Sequence, residues 1–343
     1  MDEISGWWAG AQDHGHRVLL RDALASHGSW PAIMRGGEGL LRQLGLSDYH
    51  ARAWVRSKPR RTKGCAWTLA DTGYPSALLD HCERPPAALF FEGDPECLGR
   101  RCVAIVGTRR CTGYGVAVAD RLASALAAEG FTIVSGLARG IDSAAHRAAL
   151  RVGRTVAVLG HGLGTTSPRS NVWLRRAILD SGGMVLSAWL DDFGPHRGTF
   201  PARNEWIAGL CEVVVVVEAP LKSGAMITAR LAGEMSGVDV YAVPGRLGDP
   251  ASVGCHRLLE EGARPLPDVD EFVGRLCAKA VIRRDVWLHK LFGGAALHDV
   301  AAERGVSTAQ LLSLLGDLEI RGMVVRLPGD RYVPGTSDGG APV

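Results

Sequence analysis

The sequence predicts an α/β protein with a doubly wound, mainly parallel sheet, an N-terminal helical module and a C-terminal winged helix. Three observations carry this. Short apolar runs alternate with helical segments from Val103 onward. One of them, Val213–Val217, is continuous valine, as suits a strand buried on both faces. The C-terminal part reads as three helices and a hairpin.

The elements follow in order. Residues 1 to about 75 read as short helices, with Ser47 as a cap after the helix that ends near Leu46. The Trp7–Trp8 pair is expected in its core. A basic link, "RSKPRRTKG", comes next. Residues 76–270 hold the sheet, with strands in "VAIVG", "FTIVSG", "TVAVLG", "MVLS", "VVVVVEA" and "VDVYAVPG". Helical stretches such as "GVAVADRLASALAAEG" separate them, and strictly alternating units favour parallel pairing. Residues 281–333 form the winged helix, with "LHDVAAERG", "STAQLLSLLGDLEIRG" and the hairpin "MVVRLPGDRYV". Residues 334–343 read as a disordered tail.

Composition excludes several classes. Apolar residues make up 46% and charged residues 22% of 343, as in ordinary globular proteins. The net charge is only +3, so any basic site must be local. "MDEISGWWAG" lacks a basic start and a long apolar run, so no signal peptide is expected, and no stretch of the sequence approaches the length of a membrane span. The 8 cysteines are scattered without a C-x-x-C pair. That distribution predicts a reduced, cytoplasmic protein without zinc.

In an open parallel sheet the chemistry lies beyond the carboxyl ends of the strands. The loops there hold Gly107, Thr108 and Arg109 after the first predicted strand, and Ser135, Gly136, Arg139 and Gly140 after the second. The third is followed by "GHGLGTTSPRSN". Phe200, Arg203 and Asn204 precede the valine strand; Lys222, Ser223 and Gly224 follow it. Glycines let backbone N–H groups approach an anion, and helix N-termini face it with partial positive charge. Arg109, Arg139, Arg203 and Lys222 add full charges to the same rim.

A dinucleotide cofactor is not expected. The first turn, "GTRRCTGYG", lacks the G-x-G-x-x-G spacing. The second strand ends in Ser135, where a ribose-binding acid would stand. The sequence holds no H-E-x-x-H or P-loop. Glu218 is expected to accept loop N–H groups, and His146 to be a packed or hydrogen-bonded histidine.

"GTRR", "SGLARGIDSAAH", "FPARN", "EAPLKSGAMITA" and "VPG" occur in that order at the strand ends. Together they resemble the DprA/Smf family, the DNA-processing proteins of natural transformation. The resemblance covers residues 75 to 265, and the winged helix fits it. It implies an extended Rossmann-like domain that binds single-stranded DNA, forms homodimers and helps load a RecA-type recombinase, with no enzymatic activity. It implies that Arg109 and Lys222 grip the strand, with Arg203 and Asn204 matching the family's "FPxRN" pair.

Three residues depart from the family pattern. Glu205 stands where arginine is usual, and is expected at a helix start beside the groove, subtracting positive charge. Ala188 replaces a glutamate, and Ser167 a tyrosine. Two other readings stay open. One is a nucleotide-binding enzyme or sensor resembling the phosphoribohydrolases, although "VPGRLGDPAS" lacks their glutamate-bearing run. The other is a protein adaptor with a weakened groove. The third winged-helix helix offers Gln310 but little basic charge, and is expected to pack or contact protein rather than read duplex.

Overall fold

The computed structural model describes residues 64–334 apart from 70, 84, 197, 285, 304–305, 321–323 and 330, together with 26, 33, 35–45, 47–48 and 51–52. The Trp7–Trp8 pair, most of the N-terminal module and residues 335–343 lie outside these. The chain divides into two units, Met1–Pro267 and Asp268–Val343.

The first unit is built on a nine-stranded sheet in the order β1-β2-β6-β5-β4-β3-β7-β8-β9. The strands are β1 (Cys65–Thr68), β2 (Ala88–Gly93), β3 (Cys102–Val106), β4 (Thr132–Ser135), β5 (Thr155–Val158), β6 (Met184–Ser187), β7 (Val213–Val216), β8 (Asp239–Ala242) and β9 (Arg264–Pro265). From β6 to β9 in spatial order every pairing is parallel. The exceptions are β1 on β2 and β2 on β6, both antiparallel. The sequence reading contained neither β1 nor β2, nor the short β9.

The helices are α1 (Gly37–Gln43), α2 (Ser76–His81), α3 (Gly113–Ala128), α4 (Ile141–Ala149), α5 (Val172–Asp180), α6 (Thr199–Gly209), α7 (Gly224–Glu234) and α8 (Val253–Glu260). Strand alternation sorts the core into two layers. Leu89 and Phe91 of β2, with Met184 and Leu186 of β6, join Trp189, Trp206 and Val214 on one face. Ala88 and Phe90, with Val185, join Leu174 and Ile178 on the other. Both faces are covered, so β7 can be uninterrupted valine, and all its residues are buried.

The chain runs outward from β3 through β4, β5 and β6, then returns to lay β7 on the other side of β3. This reversal is a topological switch point. The loops leaving β3 and β7 diverge there and open a crevice at their carboxyl ends.

The second unit contains α9 (Val269–Arg284), α10 (Val286–Phe292), α11 (Leu297–Glu303), α12 (Thr308–Ile320) and a hairpin of β10 (Val324–Leu327) and β11 (Arg331–Pro334). Leu288, Leu291, Val300, Leu311, Leu315, Val324 and Tyr332 form its core, a winged-helix arrangement. On α12, Leu312 and Leu314 remain exposed.

Candidate nucleic-acid interface

The switch-point crevice is a cleft of about 360 Å³. Its walls include Gly107, Thr108 and Arg109 from the loop after β3, and Lys222, Ser223 and Gly224 from the loop after β7. Phe200, Arg203, Asn204 and Ile207 line its floor from α6. These positions are spaced three, four and seven residues apart, so they share one helical face. A second cleft of about 330 Å³ adjoins it, with Gly136, Arg139, Ser167 and Pro168 added. Arg109, Arg110, Phe200 and Arg203 belong to both.

The first loop is fixed by its backbone. Thr108 N donates to Glu218 O at 2.7 Å. Thr112 N donates to the Glu218 carboxylate at 2.9 Å, and the Thr112 hydroxyl donates to the same group. Thr112 then caps α3, accepting from Gly115 N at 3.1 Å. Glu218 is 1% exposed, spent on holding this turn against the β7 loop. That leaves Arg109 and Arg110 exposed, without an ion pair to a described carboxylate. The Arg109 guanidinium lies 5.6 Å from the Phe200 ring centre.

The second loop is held from beneath. Gly136 N and Ala138 N both donate to Asp142 Oδ2, at 3.1 and 3.3 Å. Between them Leu137 has φ 55°, a left-handed conformation costly for a branched side chain. Asn171 Nδ2 donates to Leu137 O and Ser143 Oγ at 2.9 Å, tying this loop to the third. Gly140 has φ 79°, and a Cβ there would sit 2.3 Å from Thr108 O, so only glycine lets the two loops meet. Burial pushes the Asp142 carboxyl above its ordinary value, while Arg203 and the backbone N–H groups pull it back.

Arg203 is not on the rim. It is 4% exposed and donates to Gly136 O and Val158 O at 2.7 and 2.5 Å, and to Asn204 Oδ1 at 3.2 Å. Burial lowers its pKa to about 10. It therefore acts on the cleft by fixing the ends of β4 and β5. Asn204 reaches the other way, donating to Gly224 O at 3.1 Å at the start of α7. Ser135 is also internal, its hydroxyl donating to Ile105 O at 2.7 Å.

The outer positions are exposed. Lys222 has no ion pair with a described carboxylate. Arg139 is exposed and donates to Ser170 Oγ at 3.2 Å. Ser223 stands at the N-cap of α7 without making a capping bond, and its Oγ lacks a partner among the described residues. An oxygen at that point meets the first N–H groups of an eleven-residue helix.

The histidines serve the scaffold. His146 accepts no role at the surface: it is buried, Nδ1 bonds Thr155 Oγ1 at 2.7 Å, and burial lowers its pKa to about 3. His161 accepts from Ser167 N at 3.1 Å and so shapes the third loop. Arg175 fixes the same loop through Thr165 O at 2.9 Å, and pairs with Glu92 at 2.9 Å.

Glu205 requires a correction. The helix begins at Thr199, not beside Glu205, which lies well inside it. Two residues on from Arg203 means about 200° around the helix, so Glu205 turns away from the cleft face. Its backbone carbonyl accepts from Cys82 Sγ, and its charge adds to the burial that pushes the Cys82 thiol up to about 12. Gly209, four residues further on, packs against Cys82 as well. This face of α6 meets α2. Among the described residues no group of histidine, cysteine, aspartate and glutamate has the arrangement of a metal site, and no helix is long and apolar enough to cross a membrane.

Comparison with known proteins matches this geometry to a family. The E. coli protein Smf is 43% identical over 204 residues, covering 59% of this chain and 54% of its own length. The Streptococcus pneumoniae DNA processing protein DprA is 42% identical over 200 residues, 58% of this chain and 70% of its own. The chain thus matches only about half the length of the E. coli relative. The X-ray structure of S. pneumoniae DprA superposes with a TM-score of 0.58 at 34% identity, covering 78% of this chain and 90% of that one. DNA processing protein A from Helicobacter pylori, whose structure was described for its single-stranded DNA binding mode, superposes at 0.57 and 34% identity, covering 62% and 96%. The DprA winged helix domain model matches residues 292–330. The model of DNA recombination-mediator protein A matches residues 66–276, most of the chain, and the chain belongs to that family.

Proposed function

We propose that this protein binds single-stranded DNA along the carboxyl edge of its sheet and hands it to a RecA-type recombinase, acting as a cytoplasmic homodimer without turning over its ligand. One observation carries the reading. Two adjoining clefts at the switch point share Arg109 and Phe200, and exposed Arg109, Arg110, Arg139 and Lys222 follow β3, β4 and β7 along one edge. A dinucleotide needs one anion-binding loop; a row of them suits a polymer.

Gly107, Thr108, Arg109, Arg139, Lys222, Ser223 and Gly224 are the proposed contacts. Phe200 offers a ring, and Ser135, Gly136, Gly140, Arg203 and Asn204 shape the loops. The H. pylori relative, described as a single-stranded DNA binder, supports the ligand class. The proposal places this activity in residues 76–270, with the N-terminal module (1–75), the winged helix (281–333) and the tail (334–343) as additions.

The test is binding of a labelled single strand and its duplex over a range of salt. Single strand should bind far better, with log affinity falling about 0.7 per phosphate contacted for each unit of log salt. Equal affinity for duplex, or a flat salt response, would refute the reading. Release of adenine from AMP, abolished by Glu218→Ala, would favour the phosphoribohydrolase-like alternative instead.

A further inference from the structure

Outside both clefts, an exposed aromatic ring stands on the same edge of the sheet. Tyr114 is the second residue of α3 and is 53% exposed. Its hydroxyl donates to Pro244 O at 3.2 Å, in the loop after β8. The side chain therefore spans from the loop leaving β3 to the loop leaving β8, across the strand β7 that lies between them. The hydroxyl bond fixes the direction of the ring while a large part of its surface stays open.

A cation lies close by. Arg246 is two residues beyond Pro244, within about 7 Å along the chain. It is exposed and forms no ion pair with a described carboxylate. The loop that carries it is held in place: His256 Nε2 bonds Gly245 O at 3.1 Å, and Gly245 packs directly on Ser252. A tethered ring, and an exposed arginine two residues along the chain from its anchor, match the two faces of a nucleotide, one flat and one anionic.

We propose that Tyr114 and Arg246 form a further nucleotide subsite, which stacks one base of a single strand on the ring and holds an adjoining phosphate on the guanidinium. The subsite rests on the single-strand reading above and extends it by one strand of the sheet. Arg139, Arg109, Lys222 and Arg246 then follow β4, β3, β7 and β8, neighbours in the sheet. Three inter-strand spacings set β4 and β8 about 14 Å apart, the reach of a few nucleotides. Stacking on a tyrosine accepts any base, so the subsite adds affinity without sequence preference.

The test compares oligo(dT) with an abasic strand of equal length. Tyr114→Ala should weaken oligo(dT) binding by roughly 5- to 150-fold and leave the abasic strand unchanged. Tyr114→Phe loses the tether but keeps the ring, and should restore most of the oligo(dT) affinity. Arg246→Ala should lower the salt slope by about 0.7 on both strands. The subsite is overturned if Tyr114→Ala, with native circular dichroism, binds oligo(dT) as wild type while Arg109→Ala binds it less well. Equal weakening on both strands would also overturn it, since the base would then be irrelevant. A wild-type protein that binds neither strand overturns the single-strand reading itself, and the subsite with it.

Discussion

Arg109 lies with its guanidinium 5.6 Å from the centre of the Phe200 ring, and Arg203 approaches the same ring at 5.9 Å. The two arginines differ in everything else. Arg109 is exposed and Arg203 buried. The outer one is available to a ligand; the inner one is committed to the carbonyls of Gly136 and Val158. Phe200 and both arginines line both clefts.

The exposed arginine should govern binding. Replacing Arg109 or Lys222 by Ala is expected to weaken single-strand binding by about 1–3 kcal/mol each, the scale of a charge-assisted hydrogen bond. Neither side chain supports the fold, so circular dichroism and thermal midpoint should stay as in wild type. Fluorescence anisotropy with a labelled strand checks the first point and thermal melting the second. Unchanged affinity in the double variant would remove both residues from the site.

Arg203→Ala should show the reverse order of effects. It strands two buried carbonyls, at a cost of about 1–3 kcal/mol each, and removes the cation that offsets Asp142. The thermal midpoint should drop by several degrees even without DNA. Arg203→Lys should recover part of it, because a single nitrogen, Nη1, makes both carbonyl bonds and an ammonium has donors for both, while the Nε bond to Asn204 is lost. A midpoint equal to wild type would mean that Arg203 contributes nothing to holding these loops.

Glu205 should be neutral toward DNA. Glu205→Gln removes its charge from the α2 side of α6, away from Phe200, Arg203, Asn204 and Ile207. Affinity and salt slope should match wild type in parallel titrations. A tighter complex with a steeper slope would instead place the carboxylate within reach of the strand.

The sequence made the central sheet legible and its margin obscure. Strands β3 to β8 are apolar runs flanked by glycine, with helical stretches between. Strand β2 is just as apolar, yet nothing in "ALFFEG" announces an antiparallel partner as distant as β6. The rim was legible because glycine next to arginine or lysine at a strand end has few other uses. The buried supports were not. Asp142, Asn171 and His161 read as ordinary polar residues until the fold brings three loops together around them. Arg203 looked like a rim cation because an arginine in a motif does not disclose its own burial. Glu205 was misplaced because "FPARN" was read as leading into a helix, whereas α6 already starts at Thr199 and accommodates Pro201 in its first turn.

His146 is expected to weaken the fold in acid. Thr155 Oγ1 donates to Ile133 O, so its lone pair takes the proton of His146 Nδ1, and the imidazole is neutral. In the unfolded chain this histidine takes up a proton near 6.5; in the folded protein burial delays that to about 3. Stability from the neutral ring is therefore complete above pH 6.5 and is lost as pH falls toward 3. The difference corresponds to about 4–5 kcal/mol at the acid end. Asp142 acts in the opposite sense, since burial raises its pKa and the folded state binds that proton first, returning part of the loss. Urea titrations between pH 7 and pH 4 should show wild type losing stability faster than His146→Gln, whose amide can still donate to Thr155 but does not titrate. Parallel curves for the two proteins would show that protonation of His146 is not what acid costs this fold.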